Sequence, residues 1–259
     1  MSRYFVPKTK QGSSAPSLPA TADDERIYAI GDVHGRLDLL QVLMQRMEGD
    51  VQSRGECPTR VILLGDLIDR GQYSRQLLEL AQRSDSDRVT ILLGNHEDLL
   101  LQSAYGNAAA QRAWLQQGGD ATLRSFGLDS GVLGAVSADE MADALCEAIG
   151  DRMLAWLDSL PLWFKSGDYF FCHAGIRPGV PLHRQRRQDL LWIRKKFLSS
   201  KQYHGAVIVH GHSETDQLVL DRNHINVDTG AYRTGVLSAV GLQGTLQWSI
   251  ATNRDHNSD

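Results

Sequence analysis

Three short strings constrain this chain more than anything else in it: GDVHG at 31–35, GDLIDRG at 65–71 and GNHE at 94–97, each directly after a run of apolar β-formers. The runs are Arg26-Ile27-Tyr28-Ala29-Ile30, Arg60-Val61-Ile62-Leu63-Leu64 and Val89-Thr90-Ile91-Leu92-Leu93, short and apolar enough to be buried parallel strands. Between them, Leu37, Leu40, Met44 and Met47, then Leu77, Leu78 and Ala81, recur at helical spacing. The pattern predicts a βαβαβ start. In an open α/β sheet, ligands gather beyond the carboxyl ends of parallel strands, so three such ends bring Asp32, His34, Asp66 and Asn95 together. Carboxylate and amide oxygens with imidazole nitrogens suit Mn²⁺, Fe or Zn²⁺, and no thiolate turns the set toward a structural zinc.

The length of 259 residues allows one large core, and we read a single domain over 25–252. Residues 1–24 carry Gly12, Ser13, Ser14, Pro16 and Pro19 without periodicity, an expected disordered lead-in, and 253–259 read as a frayed tail. From about 97 to 160 the strand signal gives way to helical stretches, Ala108–Gln117, Asp139–Ile149 and Arg152–Ser159, an expected helical insert. Strands resume at Tyr169–Phe171, before CHAGIRP, and at Ala206–Val209, before HGHS, so two more strands end in histidines. From Leu218 to Ile250 short apolar runs alternate with turn residues, predicting antiparallel hairpins and a second, mixed sheet.

A net charge of −4 offers no surface for nucleic acid held by counterion release. No apolar stretch reaches the about 18 residues of a membrane span, and no hydrophobic signal core is present, so a cytoplasmic enzyme with no membrane partner is expected. Cys57, Cys146 and Cys172 are odd in number and widely spaced, which argues against a disulfide framework. Cys172 reads as a small buried core residue.

Taken together, GDVHGR, GDLIDRG, GNHE, HAGIRP and GHS resemble the metallophosphoesterase superfamily over about 26–242, and within it the phosphoprotein phosphatase family in its bacterial and phage-type form. The resemblance implies an α/β, calcineurin-like metallophosphoesterase fold: two mixed β-sheets packed as a sandwich, flanked by helices. Carried over residue by residue, it implies that Asp32, His34 and Asp66 bind a first metal. Asp66 would bridge to a second, completed by Asn95, His173 and His212. The cofactors implied are two divalent ions, Mn with Fe or Zn as alternatives, sharing a hydroxide that attacks phosphorus. His96 would be the general acid and Asp69 its hydrogen-bonded orienting carboxylate. Arg70, and Arg194 in LLWIRKKF, would clamp phosphoryl oxygens with their guanidinium forks.

Several neighbours read more blandly. His210 and His212 are two apart, so a continuing strand points them the same way. The Gly-His string favours His212 as ligand and leaves His210 as its supporting partner or an active-site wall. Arg36 and Arg177 are placed at the rim, capping a turn or pairing with a carboxylate. Arg184, Arg186 and Arg187 read as a solvated loop, Trp114 as helix packing, and Asp228 with Gly230 as turn residues. Tyr232 falls where the family places a loop lining the site. His-Ser stands where relatives often have His-Thr-Pro, a departure that bears on specificity.

The favoured activity is a serine/threonine protein phosphatase acting on a phosphoprotein, because the LLWIR and DTGAY regions look phage-type and bacterial. The alternative is a symmetrical bis(5'-nucleosyl)-tetraphosphatase acting on a dinucleoside polyphosphate, which shares the five strings. A scaffold without activity would lack a ligand or the acid, and here every position is filled.

Overall fold

The first three apolar runs form a parallel core. The computed structural model, which describes residues 18–129, 131 and 136–252, places β1 (Arg26–Ile30), β2 (Thr59–Leu63) and β3 (Val89–Ile91) side by side, β1 parallel to β2 and β2 to β3. The crossovers are α1 (Leu37–Arg54) and α2 (Ser74–Gln82), the second burying Leu77, Leu78 and Ala81 on one face. Their termini aim all three motifs at one edge of the sheet.

The region expected as an insert folds as α3 (Asn95–Ala104), α4 (Ala108–Gln116), α5 (Gly119–Ser125), α6 (Ala138–Ile149) and α7 (Asp151–Asp158). It is not a separate body, since Leu123, Leu145, Leu154 and Leu157 share one hydrophobic core with Tyr28, Leu43 and Leu77.

The second sheet contains β4 (Trp163–Ser166), β5 (Tyr169–Cys172), β6 (Val207–His210), β7 (Val219–Leu220) and β8 (His224–Asn226), in the order β4-β5-β6-β8-β7. Strand β4 was not legible, because it is a largely exposed edge strand, WFKS, with no apolar run to mark it. The tail does not build one sheet as expected. Strands β7 and β8 join the second sheet, whereas β9 (Ser238–Gln243) and β10 (Leu246–Ala251) join the first, β9 antiparallel to β1. The reason is burial: SAVGL is buried at every position, as a central strand covered on both faces must be. Both sheets are therefore mixed. They pack face to face through Ile27, Ala29, Ile62 and Val240 on one side and Tyr169, Phe171, Val209 and Ile225 on the other.

Residues 1–17 and 253–259 of the expected lead-in and tail lie outside the described residues. From residue 18 the chain is tied down: Ala20 N–H donates to Asp168 Oδ2 at 3.0 Å and Thr21 N–H to the Gly244 carbonyl at 3.1 Å, a turn of each sheet. Cys172 is fully buried, as read, and burial pushes its thiol well above the ordinary value.

Helix α1 is fastened to the first sheet by Asp50, which accepts from Tyr28 Oη at 2.5 Å, Trp248 Nε1 at 2.9 Å and Arg54 Nε at 2.8 Å. Burial opposes its charge, but the hydrogen bonds from Tyr28, Arg54 and Trp248 outweigh it and hold its carboxyl below the ordinary range. A depressed carboxylate contributes stability above its unfolded-state pKa that is lost as pH falls through the folded value. Wild type is expected to exceed Asp50→Asn by about 1–3 kcal/mol in urea unfolding at pH 7, the size of hydrogen bonds to a charged group. The gap should close as pH falls below about 4.

Candidate metal centre

Two of the three motifs, GDVHG and GDLIDRG, and the later GHS leave their strands through a backbone that side chains usually avoid. Among the described residues, six non-glycine residues have positive φ, and five are His34, Asp66, Asp69, Arg70 and His212. The loops also interlock. A Cβ on Gly35 would lie 2.4 Å from the Gly71 carbonyl, and one on Gly71 2.4 Å from the His34 carbonyl, so glycine is required where GDVHG crosses GDLIDRG.

One side chain holds the crossing from below. Glu97, fully buried in the first turn of α3, accepts from four backbone N–H groups: Asp66 (2.9 Å) and Gly94 (3.0 Å) through Oε2, Leu67 (2.7 Å) and Ile68 (3.2 Å) through Oε1. Burial and the charge of Asp66 push its carboxyl up to about 7. Four donors with no acceptor among them require the ionised form.

On the cavity side, Asp66 Oδ2 lies 3.6 Å from His34 Nε2, 3.8 Å from His96 Nε2 and 3.5 Å from His173 Nε2. His173 Nε2 is 2.7 Å from Asn95 Oδ1 and 3.2 Å from His212 Nδ1. The far ring nitrogens fix the tautomers. His34 Nδ1 donates to the Ile68 carbonyl (2.8 Å) and His173 Nδ1 to the Leu64 carbonyl (2.9 Å), which leaves both Nε2 lone pairs facing inward. Asp32 accepts from His212 N–H at 3.1 Å.

Two donor sets result, His34–Asp66–His96 and Asp66–His173–His212, each with its ligand atoms within 4.8 Å of one another. Asp66 belongs to both. With its proton on Nδ1, His173 Nε2 meets Asn95 Oδ1 and His212 Nδ1 lone pair to lone pair, a repulsion that a cation would relieve. Burial and the charges of Asp228 and Asp66 hold the Asp32 carboxyl well above its ordinary range, a repulsion that cations would relieve. The residues present fit a pair of divalent ions.

Beside these lies the predicted acid. His96 Nδ1 is 2.5 Å from Asp69 Oδ2, so its Nε2 faces the cavity. Burial lowers its pKa, but Asp66 and the bonded Asp69 outweigh burial and leave it raised. Asp69 is itself gripped by Trp114 Nε1 at 2.9 Å and Thr122 Oγ1 at 2.6 Å. Trp114 therefore does more than pack helices, correcting the sequence reading. Nothing in the sequence links an indole in α4 to an aspartate 45 residues earlier.

Arg70 places Nη1 2.9 Å from His34 Nε2, and its guanidinium lies over the Tyr232 ring at 4.4 Å. Arg194 lines the same cavity and, among the described residues, its guanidinium has no hydrogen-bond or ion-pair partner. Gln117, Glu214 and Asp228 also line it, unanticipated from sequence, although Asp228 serves its expected turn by accepting from Gly230 N–H. The other arginines are engaged elsewhere: Arg36 with Asp38, Arg177 with Asp189, Arg187 with Asp98. His210 is no wall of the cavity. Strand β6 ends at His210 and His212 takes φ of 63°, so the two side chains do not share a face. His210 instead meets Phe197, on the far side of the second sheet.

With this geometry in view, the chain belongs to the calcineurin-like phosphoesterase family, whose model matches residues 25–235. It is thereby a metallophosphoesterase, an enzyme class built on a dinuclear divalent metal centre. A symmetrical bis(5'-nucleosyl)-tetraphosphatase of Aromatoleum aromaticum is 34% identical over 59% of this chain and 45% of its own length. The chain thus spans about half the length of such relatives. Serine/threonine-protein phosphatase 1 of Salmonella typhimurium is 26% identical over 84% of this chain and 92% of its own. A crystal structure provisionally named a diadenosine tetraphosphatase superposes with a TM-score of 0.60 at 19% identity, covering 91% of this chain and 99% of that one, a likeness of fold.

Glu97→Gln turns an NH₂ toward N–H donors and leaves at least two of them unpaired, at roughly 1–3 kcal/mol each. The variant is expected to lose about that much in urea unfolding and to bind fewer than two Mn²⁺ per chain by elemental analysis after desalting.

Proposed function

We propose that this chain hydrolyses phosphoric anhydrides and esters, with dinucleoside tetraphosphates, split symmetrically into two nucleoside diphosphates, as its favoured substrates. One observation carries the hydrolase reading: five of the six candidate metal ligands, a buried acid and two arginines line one polar cavity of about 220 Å³, and the sixth, His173, lies against it 2.7 Å from Asn95 Oδ1. The substrate follows from the tetraphosphatase relatives, which reverses the order in which the sequence alone ranked the two activities. Phosphoserine and phosphothreonine form the second reading, favoured by the Salmonella phosphatase that matches over most of its own length.

Asp32, His34, Asp66, Asn95, His173 and His212 would hold two divalent ions, Mn²⁺ by family habit. Bound there, such ions supply Lewis acidity and a water of lowered pKa. The chain's own groups do the remainder. Arg70 and Arg194 bind phosphoryl oxygens bidentately and orient phosphorus. His96, held by Asp69, delivers a proton from Nε2 to the departing oxygen. The cavity admits a phosphoryl group and leaves the rest of the substrate at the rim, beside Tyr232 and Arg194.

The two readings differ in the leaving group. A serine alkoxide needs the proton of His96 far more than a nucleotide phosphate does. His96→Asn is therefore expected to lower kcat about 10²- to 10⁴-fold on phosphoserine peptides and by less on diadenosine tetraphosphate, with both metals retained. Equal losses would remove His96 as the proton donor. Asp66→Asn is expected to lose both metals together; retention of two per chain by elemental analysis would rule out the bridge. Side-by-side turnover by the Mn²⁺-loaded protein ranks the substrates: faster dinucleotide cleavage supports the first reading, faster peptide dephosphorylation the second.

A further inference from the structure

We infer that His210, which lines no part of the cavity, is a positioning residue for the second metal position: its ring N–H fixes the Gly211 peptide that carries His212. The inference rests on the metal-site reading above.

The Gly211 peptide is a junction. Its N–H donates to the His173 carbonyl at 2.8 Å, and its carbonyl accepts from Ser213 N–H at 2.7 Å, closing a tight turn over His212. A Cβ on Gly211 would lie 2.1 Å from Asp32 Oδ1, so Asp32 packs directly against this peptide, and Asp32 also accepts from His212 N–H. Two peptide planes meet at Gly211 Cα: the one before it reaches His173 through the Gly211 N–H, and the one after it carries both the Gly211 carbonyl and the His212 N–H that Asp32 accepts, so its orientation sets His212 and Asp32 together. His212 sits at φ of 63°, a backbone that persists only where its surroundings over-determine it.

His210 supplies the determination from behind. Its Nδ1 is 2.9 Å from the Gly211 carbonyl, which only accepts, so Nδ1 carries the proton. The ring is fully buried and meets Phe197 edge-on at 5.1 Å, an apolar setting that favours the neutral form. Its Nε2, 3.2 Å from His224 Nδ1, then accepts, and His224 Nε2 faces Asp221 Oδ2 at 3.8 Å. With His224 donating from Nδ1, its Nε2 carries no proton for Asp221, so the His210 tautomer is held between the Gly211 carbonyl on one side and the His224 Nδ1–H on the other.

Asparagine places an amide N–H near the position of Nδ1, whereas glutamine reaches the position of Nε2. Each full-length protein is loaded with Mn²⁺ alone, desalted and measured for metal per chain. Wild type and His210→Asn are expected to hold two ions. His210→Gln is expected to hold about one, with affinity for the second lowered about 10- to 100-fold, the range for loss of a group that orients a ligand. If both variants keep two ions, or both lose one, the N–H contact does not position the site and the inference falls. A wild type holding fewer than two would instead overturn the metal reading itself. A check on wild type needs no variant: the ¹⁵N shifts of the His210 ring should report Nδ1–H, and an Nε2–H tautomer would overturn the inference.

Discussion

The four backbone hydrogen bonds that Glu97 accepts are the interaction on which the rest depends. Chains that turn sharply expose N–H groups, and buried N–H groups need acceptors. Here the loops after β2 and β3 point theirs at one carboxylate, which α3 delivers from the second residue after Asn95. Left-handed non-glycine residues cost about 1–3 kcal/mol each, the same size as a hydrogen bond to a charged group. The strain that aims Asp66 and Arg70 at the cavity and Asp69 at His96 therefore persists because a buried anion ties their loop down. Remove the anion and the loop has no reason to keep that shape.

What could be read from sequence was whatever had a local cause. Buried strands announce themselves as apolar runs, and the motif after each run is contiguous, so Asp32, His34, Asp66, Asn95 and His96 were legible with their sheet. The partners of Asp69 other than His96 were not, because Trp114 and Thr122 reach it only through the packing of α4 and α5 against the loop. The same holds for Gln117 and Glu214, which carry no motif. The His210 and His212 pair shows a subtler failure. A spacing of two implies a shared face only while the strand continues, and here it stops between them. The hairpin of β9 and β10 was recognised as antiparallel, but its sheet was decided by which edge had room beside β1.

The cavity and its rim have separate tasks. The enclosed part is polar and small, fitted to the phosphoryl group that every substrate of this class shares. Groups that distinguish a peptide from a nucleotide fall outside it. There Tyr232 and Arg233 are joined to Glu214, the residue after Ser213. On the proposed reading, selectivity rests on these few contacts, which lie on loops apart from the chemistry beneath.

The donors of the site come from both sheets: Asp32, His34, Asp66 and Asn95 follow strands of the first, His173 and His212 strands of the second. Asp32 and His212 are 180 positions apart, yet directly bonded. No fragment holding one sheet can offer the full set, and any opening that parts the sheets dismantles it. Ions bound there would act as a rivet through the sandwich, and their release would report the parting of the two halves rather than the fraying of a loop.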